Sequence, residues 1–178
     1  MCPLNWKSPP DSDRIAAVIH MTNSTSKPRI AVGSDHAGFR TKENIKTYLA
    51  GEGYGVDDVG THSEEPVDYP DFALAVAERI ASGQNPLGVL VCATGIGVSI
   101  TANKVAGIRA GLAHDSLTAR RAREHNDANV IALGGKIVGD DEAIAIVQEF
   151  LNAQFAGGRH QRRIDKISEI DHAREIKT

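Results

Sequence analysis

The chain of 178 residues has few cysteines, few aromatic residues and no excess of charge of either sign. Its two cysteines, Cys2 and Cys92, form no disulfide framework, which excludes the small scaffolds that depend on one. Aromatic residues make up 4% and the net charge is -3. Surfaces that stack on nucleic-acid bases need more aromatic residues, and nucleic-acid binders carry an excess of basic residues. We therefore expect no nucleic-acid partner.

Long apolar segments are also missing. The longest unbroken apolar runs, such as residues 15–19, contain five residues, whereas a membrane helix needs about twenty. The first residues show neither a long apolar core nor a small-residue cleavage site, which argues against a secretory signal. We expect a cytoplasmic protein with no membrane partner. A hydrophobic fraction of 41% suffices for the core of one domain.

The first 28 residues differ from the rest. Four prolines and the polar stretch 22–27 predict an irregular N-terminal tail over residues 1–28. Met21 lies inside this tail and is a candidate for the natural first residue, with residues 1–20 as an upstream extension. A docking segment is the alternative. We expect the functional domain to span residues 29–178.

From Arg29 onward, short β-prone runs alternate with segments of helical spacing. The predicted strands are 30–32, 56–59, 88–92, 108–113 and 130–133. The predicted helices are 41–50, 72–81, 98–104, 115–124, 140–151 and 160–175. This alternation favours a single-domain, three-layer α/β/α fold with a parallel, Rossmann-like or flavodoxin-like sheet. The last helix carries Ile164, Ile167 and Ile170 on one narrow stripe, which could pack on a partner subunit or equally on its own sheet.

The carboxyl ends of the strands are where such a sheet binds ligands. Of these ends, Cys92 and the loop 93–97 are the most informative, because loop N–H groups beside a helix start can hold an anion and activate a thiolate. A small buried residue ending a core strand is the equally plausible alternative for Cys92. A dinucleotide fingerprint is incomplete, since Ile100 stands at the third glycine position.

Other polar residues add to these candidates. Asp35 and His36 directly follow the first strand and can reach the same crevice, while His125 and Asn126 come after a predicted helix, before the next strand. The histidines have no metal-ligand spacing, so we expect no metal. Arg159 and Arg163 are four residues apart, which predicts one face of the last helix; like charges there are explained by a phosphate between them or by a solvated basic face.

Seven segments together carry a family resemblance. They are Gly33-Ser-Asp-His-Ala-Gly-Phe39, Asp68-Tyr-Pro70, Cys92-Ala-Thr-Gly-Ile-Gly-Val-Ser-Ile100, Ala102-Asn-Lys104, Gly107-Ile-Arg109, His125-Asn-Asp127 and Gly157-Gly-Arg-His-Gln161. In these segments the chain resembles the type B ribose-5-phosphate isomerases, which share a family with the galactose-6-phosphate isomerase subunits. The resemblance spans residues 29–175.

The resemblance implies aldose–ketose isomerisation of a sugar phosphate through a cis-enediolate, without a cofactor. It implies a catalytic base at Cys92, sugar-ring opening by His125, and assistance from Asp35 and Thr94. The implied substrate contacts are Asp35, His36, Tyr69, Ala93, Thr94, Gly95, Ile96, Gly97, Asn126, Lys136, Arg159 and Arg163. Because His125 and Asn126 act across a dimer interface in the family, it also implies a homodimer or a dimer of dimers with shared active sites.

Two positions depart from the family pattern. Ala93 stands where many members have glycine, and Lys136 stands where arginine is common; a lysine keeps the charge but loses the forked geometry. Ribose 5-phosphate is the expected substrate, with allose 6-phosphate, galactose 6-phosphate and tetrulose phosphates as alternatives. A non-catalytic sugar-phosphate sensor on the same fold is the competing function.

Overall fold

The structure, a computed structural model, describes residues 27–175. Nearly all of the expected tail, including Met21, lies outside this range. The strands are β1 (Arg29–Ser34), β2 (Gly55–Asp58), β3 (Leu87–Cys92), β4 (Ala110–Leu112) and β5 (Val130–Gly134). The helices are α1 (Phe39–Gly51), α2 (Tyr69–Ala81), α3 (Ile96–Ala102), α4 (Ser116–Asn126), α5 (Asp140–Asn152) and α6 (Gln161–Glu175), the last preceded by a 3-10 turn at Gly158–His160.

All five strands are parallel, in the order β2-β1-β3-β5-β4. Helices α1, α4 and α5 cover one face of this sheet, and α2 and α3 cover the other. Strands covered on both faces must be apolar throughout rather than in alternation, and residues 130–133 of β5 are all fully buried. The predicted three-layer parallel fold is confirmed.

The helix ends explain most differences from the predicted bounds. Helix α2 begins at Tyr69 rather than at residue 72, because Pro70 fits the first turn, where its missing N–H is not needed. Asp115 caps α4 by accepting the N–H of Thr118 at 2.7 Å, and this bond lowers the pKa of the Asp115 carboxyl. No helix within residues 27–175 is both long and apolar enough to cross a membrane.

Helix α6 is only partly covered by its own chain. Ile164 is 6% exposed, whereas Ile167 is 38% and Ile170 is 54% exposed. Near the end of the helix, a carboxylate oxygen of Asp171 accepts the backbone N–H of Gly107 at 3.0 Å. Helix α6 is therefore held to its own domain at Ile164 and near its end at Asp171. Between them, Ile167 and Ile170 are partly exposed and line a cavity of about 460 Å³ together with residues of the same domain.

Candidate active site

The carboxyl edge of the sheet has a crevice between β1 and β3. The strand order reverses there, because β1 leads outward to β2 while the chain continues through β3 on the other side. Ligands of parallel α/β sheets bind at such reversal points. Asp35 follows β1 and Cys92 ends β3. Two of the sequence-derived candidates thus flank one crevice.

Cys92 lies in a tight turn at the start of α3. Its side chain is buried, and its Sγ accepts the backbone N–H of Gly95 at 3.1 Å. Gly95 has a φ of 78°, and a Cβ at this position would lie 2.8 Å from the carbonyl carbon of Leu133. Only glycine satisfies both the backbone conformation and the space. An N–H group directed at the sulfur stabilises negative charge there.

The loop 93–97 is held from behind by the turn after β5. The carbonyl of Cys92 accepts the N–H of Gly135 at 2.8 Å, and the carbonyl of Ala93 accepts the N–H of Lys136 at 3.0 Å. The methyl group of Ala93 does not prevent this pairing, which uses only its backbone carbonyl. The same pairing puts Lys136 beside the loop, where it lines a polar cleft of about 510 Å³ together with His36.

Thr94 is fixed by its neighbours on both sides. Its hydroxyl oxygen accepts the N–H of Ile96 at 3.4 Å. Its carbonyl lies 3.1 Å from Nε2 of His114, which must donate because a carbonyl only accepts. His114 lies two residues after β4, at one of the strand ends where the sequence predicts ligand binding, although no catalytic or substrate-binding role is predicted for it.

Asp35 and His36 have different orientations at the end of β1. The Asp35 carboxylate is buried and accepts the N–H of Gly38 at 2.9 Å, so it stabilises the turn that leads into α1. Nδ1 of His36 lies 3.1 Å from the backbone nitrogen of Val67 and 3.2 Å from its carbonyl oxygen. Either contact occupies Nδ1, so Nε2 is the ring nitrogen that can reach a ligand.

Tyr69 forms a wall of the loop. Its ring lies against Gly97, where a Cβ would come within 2.7 Å of the ring carbons. The side chain is 40% exposed, so one face remains accessible. A glycine at residue 97 is therefore required for Tyr69 to pack beside the cysteine loop.

A buried lysine, which no motif in the sequence indicates, supports the segment after β2. Nζ of Lys42 is buried and donates to Asp58 and to the carbonyl of Thr61, both at 2.7 Å. Burial alone would raise the pKa of the Asp58 carboxyl, but hydrogen bonds from Lys42 and Lys46 outweigh it and hold the pKa below its usual value. This network anchors the segment that continues to Val67 and so to His36.

His125 lies at the other edge of the sheet. Helix α4 runs back across the sheet face and ends at Asn126, so both residues belong to its last turn rather than to the loop expected after residue 124. The His125 ring stacks on His160, with 4.2 Å between centroids and 10° between planes. Nε2 of His125 accepts from Arg121 at 3.3 Å.

The two candidate arginines are near this histidine pair. Arg159 belongs to the 3-10 turn and Arg163 to α6, so the prediction of one α-helical face was wrong. The reason is Gly157 and Gly158, whose positive φ values delay the start of α6 to Gln161. Among the side chains of residues 27–173, no acidic group lies within 4.0 Å of the guanidinium nitrogens of either arginine.

His160 responds to this concentration of positive charge. Burial, followed by the charges of His125 and Arg159, lowers the pKa of its ring. Arg163 and Arg121 act in the same direction. In this basic cluster, Glu124 is paired with Arg121. The excess of basic groups over acidic ones is the composition of an anion site.

The structure thus divides the predicted site into two halves. Cys92, Thr94, Asp35, His36 and Lys136 are at the carboxyl edge, and His125, Asn126, Arg159 and Arg163 are at the amino edge. Helix α4 has 11 residues, which at 1.5 Å per residue gives a separation of about 16 Å between the edges. One chain cannot bring Cys92 and His125 onto one small sugar.

Comparison with known proteins identifies the family. The model of the ribose/galactose isomerase family matches residues 30–167. The chain belongs to this family. It is 46% identical to ribose-5-phosphate isomerase B of Escherichia coli over 146 residues, which is 82% of this chain and 98% of that protein.

Solved structures of the ribose/galactose isomerase family have the same fold. Ribose-5-phosphate isomerase B of Clostridium thermocellum matches with a TM-score of 0.81 and 52% identity, over 82% of this chain and 98% of that one. The Mycoplasma genitalium enzyme, solved with bound ribulose-5-phosphate, matches with a TM-score of 0.79 and 43% identity, over 83% of this chain and 98% of that one. These matches cover nearly the whole length of both relatives.

Proposed function

We propose that this member of the ribose/galactose isomerase family interconverts ribose 5-phosphate and ribulose 5-phosphate through a cis-enediolate. The observation that carries the proposal is the Cys92 sulfur, which lies at the strand-order reversal and accepts the N–H of Gly95 at 3.1 Å. The family membership and a relative solved with ribulose-5-phosphate support the substrate. We also retain the cytoplasmic location expected from the sequence.

Cys92 is the proposed base of the proton transfer. In the direction from aldose to ketose, its thiolate removes the proton from C2 of the open-chain sugar and returns it to C1. Between these steps, O1 gains a proton and O2 loses one, which converts the aldehyde into the ketone. Such a transfer needs a base held next to the carbon and stabilisation of the oxyanion. A thiolate stabilised by the Gly95 N–H meets the first requirement.

The loop 93–97 is the proposed anion hole. The N–H groups of Gly95 and Ile96 donate to Cys92 and Thr94. The other backbone N–H groups of the loop lie between Cys92 and the start of α3 and can donate to the enediolate oxygens as charge develops. The hydrogen bonds from Gly135 and Lys136 hold the loop carbonyls on the opposite side. The donors are thus oriented before the substrate arrives, so little reorganisation is needed during the reaction.

Ring opening is assigned to His125 of a second copy of the chain. Ribose 5-phosphate exists largely as a furanose, so a proton must leave O1 and another must reach the ring oxygen before Cys92 can act. Because Cys92 and His125 of one chain are at opposite edges, the two can meet only across an interface. A two-fold dimer would form two such composite sites.

The substrate's phosphate provides a reason for the basic cluster at the amino edge. Arg159 and Arg163 lack acidic partners within the described part of the chain, and a dianion between them would relieve their repulsion. Nε2 of His36 and the Lys136 ammonium approach from the carboxyl edge of the other copy. Asn126, next to His125, supplies an amide for a sugar hydroxyl.

The test is an activity assay of the purified protein with four- to six-carbon aldose and ketose phosphates. We expect turnover of ribose 5-phosphate, and we expect Cys92→Ala to fold normally with activity reduced at least about a hundredfold. Binding of the sugar phosphate without turnover by the wild-type protein would instead establish a non-catalytic sensor. Turnover by Cys92→Ala close to that of the wild type would remove Cys92 from the mechanism.

A further inference from the structure

His160 contacts both of the groups on which the amino-edge half of the site depends. Its ring stacks on His125 at 4.2 Å between centroids, almost parallel to it. Its Nε2 lies 3.4 Å from Nε of Arg159, which donates. The ring is 8% exposed, so it is held inside the structure rather than presented to a ligand.

Several local features of the chain hold the His160 ring against His125. Gly157 and Gly158 both have positive φ, which reverses the chain direction ahead of the 3-10 turn. The N–H of Ala156 donates to the carbonyl of Glu124 at 2.9 Å and ties this segment to the end of α4. The His160 ring therefore lies on His125 because the segment before the turn is tied to the end of α4 and the turn itself is closed by the bond from the His160 N–H to the carbonyl of Gly157 at 3.0 Å.

We infer that His160 is a positioning residue that fixes the His125 ring for sugar-ring opening and links it to the phosphate-binding Arg159. Stacking restricts rotation of the His125 ring, while Arg121 holds its Nε2. His160, which is itself hydrogen-bonded to Arg159, thus fixes the plane of the His125 ring. Arg121 fixes the rotation of the His125 ring within that plane. This inference rests on the proposed function, because it assigns His160 a role through His125.

Proton transfer at C1 and the sugar-ring step can be measured separately. Exchange of the C1 hydrogen of ribulose 5-phosphate with solvent deuterium requires Cys92, but ribulose 5-phosphate is acyclic because its C5 hydroxyl carries the phosphate. Net conversion to ribose 5-phosphate also needs the ring step. We expect His160→Leu, which keeps a side chain of similar size, to reduce net conversion about tenfold and C1 exchange less than about threefold.

His160→Phe is the rescue variant, since it keeps a flat ring on His125, and we expect net conversion within about threefold of the wild type. His172→Leu, an exposed histidine on α6, is the matched control and should change neither rate. If His160→Leu lost C1 exchange and net conversion equally, His160 would have only a general structural role. If the variant kept both wild-type rates, His160 would have no role. Either result overturns the inference. Absence of both rates in the wild-type protein would instead refute the proposed function.

Discussion

The backbone N–H of Gly95 donates to the sulfur of Cys92 at 3.1 Å. Gly95 also packs so closely on β5 that a Cβ added to it would lie 2.8 Å from the carbonyl carbon of Leu133. The position of the Cys92 sulfur is thus tied to the packing of β5 behind it. A change at residue 95 must either rotate the N–H away from the sulfur or push β5 from the sheet.

Gly95→Ala should therefore impair both stability and activity. The left-handed conformation and the contact with the Leu133 backbone each cost at least about 1 kcal/mol, so we expect a loss of about 2 kcal/mol or more in the free energy of unfolding. Turnover should fall in the folded fraction because the N–H moves. Urea denaturation and steady-state kinetics measure the two effects.

Gly51→Ala is the matched control. Gly51 ends α1, has ordinary helical φ, and an added Cβ there meets nothing within 4 Å. Alanine in that position should leave activity unchanged and keep or slightly raise stability. Equal behaviour of the two alanine variants would contradict the importance of the Gly95 geometry.

Much of the fold follows from local pattern. Five short apolar runs between amphipathic segments predict a covered parallel sheet, and the strands they predict all form. Strand ends can be located to within two residues because burial on both faces requires continuous apolar sequence. The crevice with Asp35 and Cys92 follows from this order by the reversal rule.

Contacts distant in sequence could not be predicted in the same way. The stacking of His125 on His160 depends on the turn at Gly157 and Gly158, and periodicity carries no information about its direction. The bond between His36 and Val67 likewise depends on how the segment after β2 returns to the sheet. The separation of Cys92 from His125 could not be predicted either, because it depends on the direction in which α4 crosses the sheet. The order of motifs along the sequence contains no information about that direction.

The network around Lys42 predicts an acid-sensitive stability. The hydrogen bonds that lower the pKa of Asp58 stabilise the folded state fully above about pH 4, the usual range of an unfolded aspartate, and this contribution is lost as the pH falls through the lower folded pKa. We expect the free energy of unfolding to decline below pH 5 more steeply in the wild type than in Asp58→Asn. Urea titrations from pH 3 to about 7 measure this difference.

Removing the lysine should be more costly. Lys42→Met removes the buried partner of the Asp58 carboxylate but leaves Lys46 beside it, so we expect the loss of one charge-assisted hydrogen bond, about 1.5–3 kcal/mol. Lys166→Met, at an exposed position on α6, is the control and should stay within about 0.5 kcal/mol of the wild type. Equal stabilities of the two methionine variants would show that the Lys42 network adds nothing.

The division of the site between two edges predicts complementation. Cys92→Ala and His125→Ala should each be inactive alone, but a mixed dimer combines the intact carboxyl edge of one copy with the intact amino edge of the other. With free exchange, half the dimers are mixed and each has one working site, so about a quarter of wild-type activity should return. Activity after mixing and equilibration measures this recovery.

A mixture of Cys92→Ala with Asp35→Asn serves as the control. Both changes lie at the carboxyl edge, so no mixed dimer contains an intact site and no activity should return. Recovery in neither mixture, with subunit exchange demonstrated by mass spectrometry, would show that each site is built within one chain.

Arg159 and Arg163, which have no acidic partner among the described side chains, predict a phosphate effect on substrate binding. Charge-assisted contacts to a phosphate are worth about 1.5–3 kcal/mol each, so Arg159→Ala or Arg163→Ala should raise KM about tenfold or more. The change in kcat should be smaller, because the phosphate is distant from C1 and C2 and binds ground and transition states alike. Arg162→Ala, one residue from Arg163 and exposed on α6, is the matched control and should leave KM unchanged.

Lys136→Arg tests the phosphate site from the carboxyl edge. Lys136 lines the same cleft as His36, and arginine would supply a forked donor in place of the single ammonium. Because a guanidinium can bind two phosphate oxygens at once, we expect a lower KM for ribose 5-phosphate or a changed preference among sugars of different length. KM values measured for four-, five- and six-carbon substrates distinguish these outcomes. Identical kinetics for Lys136→Arg and the wild type with every substrate would mean that Lys136 does not contact the phosphate, and the cleft beside His36 would lose that role.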